Sequence, residues 1–341
     1  MKAVIKAIQY HLPETVLSNE KLAVDNPDWP AEKIVKKTGI SKRYIASEDE
    51  CASDLGVKAA QKLFENNSCT PYDVDYLLFC TQSPDYFLPT TACMIQDRLG
   101  IPNSAGAMDF NLGCSGYIYG LGLAKGLIET GQASNVLLIT AETYSKFIHP
   151  MDMSVRSLFS DAAAATFLRG EKNNGDFIPA IGPFVYGTDG QGAENLIVKN
   201  SALRFPKGTD HNEVAMGKCD QAGTSDNLYM NGSEIFTFTL LSVPKAVYAL
   251  LEKAELKLKD IDLFIFHQAN KFMLEHLMKK LKIPEEKFYV NCQNIGNTVS
   301  STIPIALKDA LDDGLIKKGN KIMLVGFGVG YSWGATLVHW H

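Results

Sequence analysis

The feature that most restricts the fold of this chain is a repeat within it. Residues 73–80 match residues 260–267 in their order of aspartates and apolar side chains, and residues 111–114 match residues 294–297. Each copy continues with a helical stretch that ends at a glycine, and then with an apolar strand. The repeated segments follow the same order in both copies, at a nearly constant separation along the chain. This predicts two similar halves, related by a pseudo-twofold axis.

Short apolar runs alternate with helical patterns along both halves. The runs lack the alternation of half-exposed strands and predict strands buried on both faces: 76–80, 135–140, 163–168, 263–266 and 321–325. Between them lie helical stretches at 55–66, 114–130, 271–282 and 302–313. This alternation predicts an α/β fold. We expect an N-terminal half over 1–172 and a C-terminal half over 173–341, with a polar excursion around 200–227.

Composition excludes several classes of protein. Hydrophobic residues make up 46% of the chain and charged residues 21%, which is enough for an ordinary core and argues against disorder. The net charge of −5 argues against a nucleic-acid partner. No apolar run reaches the length of a membrane span, and the start of the chain alternates like a strand rather than a leader peptide. We therefore expect no membrane association.

The cysteine pattern indicates free thiols. Seven cysteines are scattered without a Cys-x-x-Cys pair, so a disulfide framework or a zinc site is not expected. Free thiols fit a cytoplasmic location. Most of these residues are expected to be small buried apolar side chains.

The repeat makes a chemical prediction. Cys114 and Asn297 are equivalent positions, each at a helix start after a glycine turn, and His267 ends an equivalent strand. Ligands of α/β sheets gather beyond the carboxyl ends of strands. We therefore expect Cys114, His267 and Asn297 to meet in one pocket, where they supply a nucleophile, a base or hydrogen-bonding group, and a neutral donor.

Each of these residues also has an ordinary structural explanation. Cys114 could be a buried thiol, His267 a hydrogen-bonded core residue, and Asn297 a helix cap. The helix dipole at Cys114 favours the thiolate. The following helix contains Gly116, Gly120, Gly122 and Gly126, which we interpret as a buried helix closely approached by other backbones. The glycine-rich run 326–334 is a turn that could direct N–H groups to an oxyanion.

The chain resembles the thiolase superfamily, and most closely the β-ketoacyl-acyl carrier protein synthase III family. The resemblance spans nearly the whole chain and lies in segments whose order and spacing make the set specific: Tyr10–Glu14, Lys37–Ile40, Leu88–Cys93, the Cys114 segment, Leu158–Asp161, His267–Asn270, Gly296–Thr298 and the loop Gly326–Gly334. It implies the thiolase-like αβαβα layering of two halves. Asn297 favours this family, since thiolases have a histidine there and hydroxymethylglutaryl-coenzyme A synthases use a glutamate.

The resemblance implies a decarboxylating Claisen condensation. Cys114 would accept an acyl group from a thioester, and malonyl-acyl carrier protein would then lose carbon dioxide. His267 and Asn297 would hydrogen-bond the malonyl thioester carbonyl, and the backbone N–H groups of Cys114 and Val329 would hold the oxyanion. Val329 stands where the family usually has glycine. The product would be a 3-oxoacyl-acyl carrier protein, with no metal or redox cofactor.

The resemblance also implies substrate contacts. Phe110 would pack near the cysteine, and Leu88 would reach across a homodimer interface to the partner's acyl pocket. Lys37, Met153 and Phe272 stand at positions where the family has coenzyme A-binding residues, and Trp29 is offset from the family's tryptophan. Because methionine and phenylalanine cannot grip phosphate, we expect weak coenzyme A priming and a carrier-bound or unusual acyl donor.

Alternatives remain at this point. A specialised acyltransferase or polyketide-type synthase could use the same fold with a donor other than coenzyme A. A non-catalytic partner subunit or a cysteine hydrolase is less compatible with the intact residues and the apolar surroundings. The lysines at 271, 279, 280 and 282 are either a solvated helix face or a docking patch for acyl carrier protein.

Overall fold

The structure, a computed structural model, describes residues 1–172, 179–210 and 223–341. The strands of the first half are β1 (Lys2–His11), β2 (Thr15–Ser18), β3 (Lys42–Ile45), β4 (Tyr76–Cys80), β5 (Gly106–Phe110), β6 (Asn135–Glu142) and β7 (Ala162–Glu171). Its helices are α1 (Asn19–Asp25), α2 (Ala31–Thr38), α3 (Ala52–Glu65), α4 (Thr91–Arg98), α5 (Gly116–Glu129) and α6 (Met153–Arg156).

The second half repeats the pattern. Its strands are β8 (Ile181–Thr188), β9 (Leu196–Val198), β10 (Leu228–Met230), β11 (Leu263–Phe266), β12 (Phe288–Tyr289), β13 (Lys321–Gly328) and β14 (Ser332–His339). Its helices are α7 (Gly232–Lys253), α8 (Lys271–Leu281) and α9 (Thr302–Asp312). Single 3₁₀ turns lie at Pro71–Asp73, Tyr144–Phe147, Gly190–Asn195, Leu258–Asp260, Glu285–Lys287 and Val299–Ser301. The strands and helices expected from the sequence are confirmed to within a few residues.

Two five-stranded sheets have the same topology. The order in the first is β1-β7-β6-β4-β5, and in the second it is β8-β14-β13-β11-β12. Three strands run parallel in each sheet: β4, β5 and β6 in the first, and β11, β12 and β13 in the second. The other two pairings of each sheet are antiparallel. Matching sheets with matching directions confirm the internal repeat.

The same hydrogen bonds tie each half together. The carboxylate of Asp75 accepts the backbone N–H of Asn135 over 2.9 Å, and that of Asp262 accepts the N–H of Lys321 over 2.8 Å. Each aspartate thereby fixes the start of the strand that follows the repeated helix. The expected division at 172/173 stays a prediction. The last strand of the first sheet ends at Glu171, and the first strand of the second begins at Ile181.

Helices form three layers around the two sheets. Helices α5 and α9 lie between the sheets and contact strands of both. Helix α3 packs on β1, β6 and β7 with α4 beside it, and α7 packs on β8, β13 and β14 with α8 beside it. Apolar clusters fill the central and both outer interfaces. The order of layers is helix, sheet, helix, sheet, helix.

The glycines of α5 have a different role from the expected one. A Cβ on Gly116, Gly120 or Gly122 would meet side chains, those of Cys80, Leu138 and Tyr186, and Gly126 faces open space. The close backbone approach is instead made by β13. A Cβ on Gly326 would lie 2.8 Å from the carbonyl oxygen of Cys114. The interpretation of a buried helix is confirmed, but the glycines of α5 admit side chains rather than other backbones.

The expected polar excursion is only partly described, since residues 211–222 lie outside the described part. Its base is the antiparallel pair β9 and β10. Among the described residues, α7 is a helix long and apolar enough to cross a membrane. It packs against β8, β13 and β14, which is the position of a core helix.

Candidate active site

Three side chains from the two halves line one cavity. Cys114 precedes α5, His267 follows β11, and Asn297 precedes the turn that leads into α9. All three side chains are buried and lie in the wall of a cavity of about 470 Å³. Because α5 and α9 are repeat equivalents packed between the sheets, their starts converge at this point. The structure thus brings together the three residues that the sequence singles out.

Cys114 lies in apolar surroundings. It belongs to a buried cluster with Tyr144, Val155, Phe159 and Leu196. Burial, and then the nearby carboxylate of Glu142, raise the pKa of the Cys114 thiol to about 12. The helix dipole favours the thiolate, but loss of solvation outweighs it and the thiol is the favoured form. Acylation of this sulfur requires a base to remove its proton.

The backbone N–H groups of Cys114 and Val329 act on the sulfur. Hydrogen bonds from the N–H groups of Cys114 and Val329 act against burial and lower the pKa of the thiol. Val329 also packs on the cluster that contains Cys114. Gly328 makes room for the sulfur, since a Cβ there would lie 2.9 Å from Sγ. Two backbone N–H groups beside a nucleophile are the parts from which an oxyanion hole can be built.

His267 is positioned by a hydrogen bond and a ring contact. Its Nδ1 lies 2.7 Å from the hydroxyl of Thr302, and its ring stands edge-on to Phe327 with centroids 5.4 Å apart. Burial lowers the pKa of His267 to about 3. The resting pair of His267 and Cys114 is therefore an uncharged imidazole and an uncharged thiol at neutral pH.

Asn297 is oriented by its own turn. Its Oδ1 accepts the backbone N–H of Val299 over 2.9 Å, and its backbone N–H donates to Leu158 over 3.0 Å. Because the carboxamide oxygen is engaged, the Nδ2 group is the one that can donate to a bound molecule. Sequence reasoning finds Asn297 through the repeat but gives no sign of this orientation.

Glu142 is a buried carboxyl that the sequence analysis missed. Its oxygens accept hydrogen bonds from the backbone N–H of Gln82 over 3.0 Å, from Ser83 over 3.2 Å and from Ser300 over 2.9 Å. Burial raises its pKa to about 8. Glu142 thus joins a loop of the first half to the turn that carries Asn297. An acidic residue at the end of an otherwise apolar strand was the available signal.

Two stacked aromatic rings lie at the cavity entrance. Phe272 is half-exposed and stacks on Phe236 with centroids 5.6 Å apart, and His276 packs on both rings. The Nζ atom of Lys37 lies 4.2 Å from the centroid of the Trp29 ring. Lys37, Phe272 and Trp29 line the cavity. Trp29, which is offset in the sequence from the family's tryptophan, lies in this wall beside Lys37.

The other expected substrate residues lie elsewhere. Met153 is buried in a small cluster behind Trp29 rather than in the cavity wall. Phe110 packs on the central core beside α5, and a Cβ on Gly120 would lie 3.1 Å from its ring. Leu88 is 82% exposed. Neither Met153 nor Phe110 belongs to the cavity lining, and contact of these residues with substrate stays a prediction.

Comparison with known proteins identifies the family. The model for 3-oxoacyl-[acyl-carrier-protein (ACP)] synthase III matches residues 108–190, and the model for its C-terminal part matches residues 251–340. A β-ketoacyl-[acyl-carrier-protein] synthase III of Clostridium perfringens is 38% identical over 328 residues, covering 96% of each chain. The chain belongs to the 3-oxoacyl-[acyl-carrier-protein] synthase III family. A relative from Clostridium tetani is likewise 38% identical, over 97% of this chain and 96% of its own.

Solved structures of this family superpose closely on the chain. A 3-oxoacyl-(acyl-carrier-protein) synthase III is 53% identical, with a TM-score of 0.97 over 100% of both chains. A synthase III from Thermus thermophilus is 36% identical, with a TM-score of 0.86 over 99% of each chain. These matches confirm the thiolase-like fold. They also confirm the expected enzyme class, an acyl-transferring condensing enzyme that makes a 3-oxoacyl-acyl carrier protein, and do not favour the alternative acyltransferase.

Proposed function

We propose that this synthase III joins an acyl thioester to malonyl-acyl carrier protein by using Cys114, His267 and Asn297. The observation that carries the proposal is the convergence of the three side chains, from both halves, on one cavity with backbone N–H groups at the sulfur. Cys114 accepts the acyl group. Asn297 Nδ2 and His267 hydrogen-bond the malonyl thioester carbonyl while carbon dioxide leaves, and the carbanion attacks acyl-Cys114.

The N–H groups of Cys114 and Val329 hold the oxyanion of each tetrahedral intermediate. A backbone donor does not depend on its side chain, so valine in place of glycine at 329 keeps this function. The apolar cluster around Cys114 keeps water from the acyl-enzyme and the carbanion.

Intact-mass spectrometry of the two half-reactions tests these roles. Wild-type protein is expected to gain one acyl group and to lose it on addition of malonyl-acyl carrier protein, with release of carbon dioxide. Cys114→Ala should not be acylated, whereas the control Cys51→Ala should react normally, because Cys51 lies outside the cavity lining. Acylation of the Cys114→Ala protein would overturn the assignment.

We also propose that the acyl donor is recognised without its nucleotide. The entrance carries Phe272 stacked on Phe236. The buried Trp29 ring lies deeper in the wall, and the Nζ atoms of Lys33 and Lys37 lie over it. Aromatic rings cannot form the forked hydrogen bonds that arginine makes to phosphate. A carrier-bound acyl group fits this entrance better than coenzyme A.

A matched pair of donors tests this point. Acetyl-coenzyme A and acetyl-pantetheine carry the same thioester and differ in the nucleotide. We expect their kcat/KM values for acylation to agree within a few-fold, and acetyl-acyl carrier protein to exceed both. Rapid, saturable acylation that acetyl-coenzyme A alone supports would contradict the proposal.

We further propose that the enzyme is a homodimer. Within the described part of the chain, the edge strand β5 pairs with β4 alone. The nearby loop exposes Tyr86, Phe87 and Leu88, whose exposed fractions are 59%, 74% and 82%. A second copy that covers this edge would place Leu88 against the partner. Sedimentation of Leu88→Asp is expected to show monomers. The control Leu203→Asp, at a leucine that is 91% exposed on another part of the surface, should sediment as wild type.

A cytoplasmic location without membrane association completes the proposal. The cysteines of the described part are free thiols, which suits a reducing compartment. Fractionation of cells that express the protein tests it, since recovery with membranes would contradict it.

A further inference from the structure

Thr302 forms a hydrogen bond with the Nδ1 atom of His267. It is the first residue of α9, and its hydroxyl lies 2.7 Å from His267 Nδ1. Both side chains are almost fully buried. Among the described residues, no other side chain forms a hydrogen bond with the His267 ring. His267 also lines the cavity, and with Nδ1 engaged, Nε2 is the nitrogen available there.

The hydrogen bonds assign the proton of the ring. The Thr302 hydroxyl lies 3.0 Å from the carbonyl oxygen of Val299, which can only accept. A hydroxyl has one proton, so donation to Val299 leaves an oxygen lone pair directed at His267. Both contacts are then satisfied if Nδ1 carries the imidazole proton. If the Thr302 hydroxyl donated to Nδ1 instead, its oxygen and the carbonyl oxygen of Val299 would face each other as two acceptors.

This assignment matters for chemistry because the two nitrogens of neutral histidine have opposite roles. With the proton on Nδ1, Nε2 has a free lone pair and accepts a proton. The thiol of Cys114 needs such an acceptor, because burial keeps it protonated at neutral pH. The donor role of His267 toward the malonyl carbonyl, in contrast, needs a proton on Nε2.

We propose that Thr302 is a positioning residue that holds His267 in the Nδ1–H form, so that Nε2 serves as the base for acylation of Cys114. The inference rests on the function proposed above. As Sγ attacks the thioester carbonyl, its proton moves to Nε2. When the tetrahedral intermediate collapses, the carbon–sulfur bond to the donor breaks, and Nε2–H passes the proton to the departing sulfur. Acylation therefore consumes no net proton.

The second half-reaction then accounts for the proton that decarboxylation consumes. The malonyl carboxylate enters an apolar site beside His267, and its charge favours protonation of Nε2 from solvent. Thr302 keeps accepting from Nδ1–H, so the imidazolium donates to the malonyl carbonyl through Nε2–H. After carbon dioxide leaves and the new carbon–carbon bond forms, Cys114 departs as a thiolate and takes this proton. The site returns to its uncharged state.

The experiment compares Thr302→Val, which keeps the shape and removes the hydroxyl, with Thr302→Ser, which keeps the hydroxyl. Nitrogen-15 NMR of full-length protein labelled at histidine reports the proton position. We expect the Nδ1–H form for His267 in wild type and Thr302→Ser, and a shift toward Nε2–H in Thr302→Val. Acylation of Cys114 should fall about 10-fold or more in Thr302→Val, part of the factor a positioned base contributes. Thr302→Ser should recover most of it.

The outcomes separate this inference from the function on which it rests. If His267→Asn stops acylation but Thr302→Val leaves both the NMR signature and the acylation rate unchanged, the role of Thr302 is wrong and the proposed function stands. If His267→Asn acylates at the wild-type rate, the base role fails whatever Thr302 does. A structural role alone would lower the melting temperature without moving the proton, and this result would also overturn the inference.

Discussion

Val299 donates its backbone N–H to the carboxamide oxygen of Asn297 over 2.9 Å, although the φ angle of Val299 is +54°. A β-branched residue rarely adopts this left-handed conformation, because it crowds the side chain against the backbone. The buried surroundings of Val299 hold it there. The contact fixes the carboxamide so that its NH₂ group, rather than its oxygen, is free to donate in the cavity.

Asn297→Asp is expected to separate the two half-reactions. Aspartate keeps the oxygen that accepts from Val299 but replaces the donating NH₂ with a second acceptor. Carbon dioxide release from malonyl-acyl carrier protein should fall about 10²- to 10³-fold, as for loss of one oxyanion donor. Acylation of Cys114, followed by intact mass, should change by only a few-fold. Equal losses in both steps would contradict a role limited to the malonyl carbonyl.

Gly328→Ala is expected to block acylation. The added Cβ would lie 2.9 Å from both Cβ and Sγ of Cys114, so the sulfur must move from its place below the N–H groups. Displacement of a reacting atom by a fraction of an ångström to an ångström costs on the order of 10²-fold in rate. The matched control is Gly190→Ala, where the added Cβ meets no atom within 4 Å. Normal acylation by Gly328→Ala would show that the sulfur position is not critical.

The glycines of α5 should respond in opposite directions to alanine. Gly126 is exposed and its Cβ would meet nothing within 4 Å, so Gly126→Ala should raise the free energy of unfolding by up to about 1 kcal/mol. Gly120→Ala places a Cβ 2.7 Å from Leu138 Cδ1 in the core and should lower it by about 1–3 kcal/mol. Urea unfolding measures both. Similar effects at the two positions would contradict the packing described for this helix.

Glu142 should make stability fall as pH rises. Burial raises its pKa from 4.5 to about 8 in the folded protein. Between these values the folded protein holds a proton that the unfolded chain has lost, so the free energy of unfolding decreases with pH and levels off above about 8. Glu142→Gln removes this titration. The difference in free energy of unfolding, Glu142→Gln minus wild type, should therefore increase from pH 5 to pH 8. The increase is on the order of a few kcal/mol.

Urea unfolding of both proteins at these two pH values measures the effect. The control Glu65→Gln removes an exposed carboxyl and should leave the difference between pH 5 and pH 8 close to that of wild type. A pH dependence in Glu142→Gln that equals that of wild type would show that this carboxyl does not titrate in the expected range.

The lysines of α8 should contribute to recognition of acyl carrier protein. Lys279 and Lys280 are exposed on the helix whose first turn carries Phe272 at the cavity entrance. Replacement of both by glutamate should raise KM for malonyl-acyl carrier protein several-fold at low salt and leave acylation by acetyl-pantetheine unchanged. The control pair Lys317 and Lys318 is exposed in the connection between α9 and β13. An equal effect of the control pair would favour a merely solvated face on α8.

The layered α/β architecture and the choice of Cys114, His267 and Asn297 as candidate site residues follow from the sequence alone. The internal repeat indicates both the architecture and the site residues, because equivalent segments adopt equivalent folds. It brings Cys114 and Asn297 to matching helix starts. Buried strands and helices were also predictable, since their patterns are local. The resemblance supplied the chemistry, and the family comparisons confirmed the enzyme class.

The protonation and the hydrogen-bond partners of these groups depend on the tertiary structure. Burial raises the pKa of the Cys114 thiol against the effect of the helix dipole, and this burial depends on side chains from distant segments. The contacts of Thr302 with His267 and of Glu142 with Ser300 join residues 35 and 158 positions apart. The fold also places Trp29 in the cavity wall and Met153 in a buried cluster outside it. Solvation and hydrogen-bond partners arise only when the chain is packed, so no local pattern encodes them.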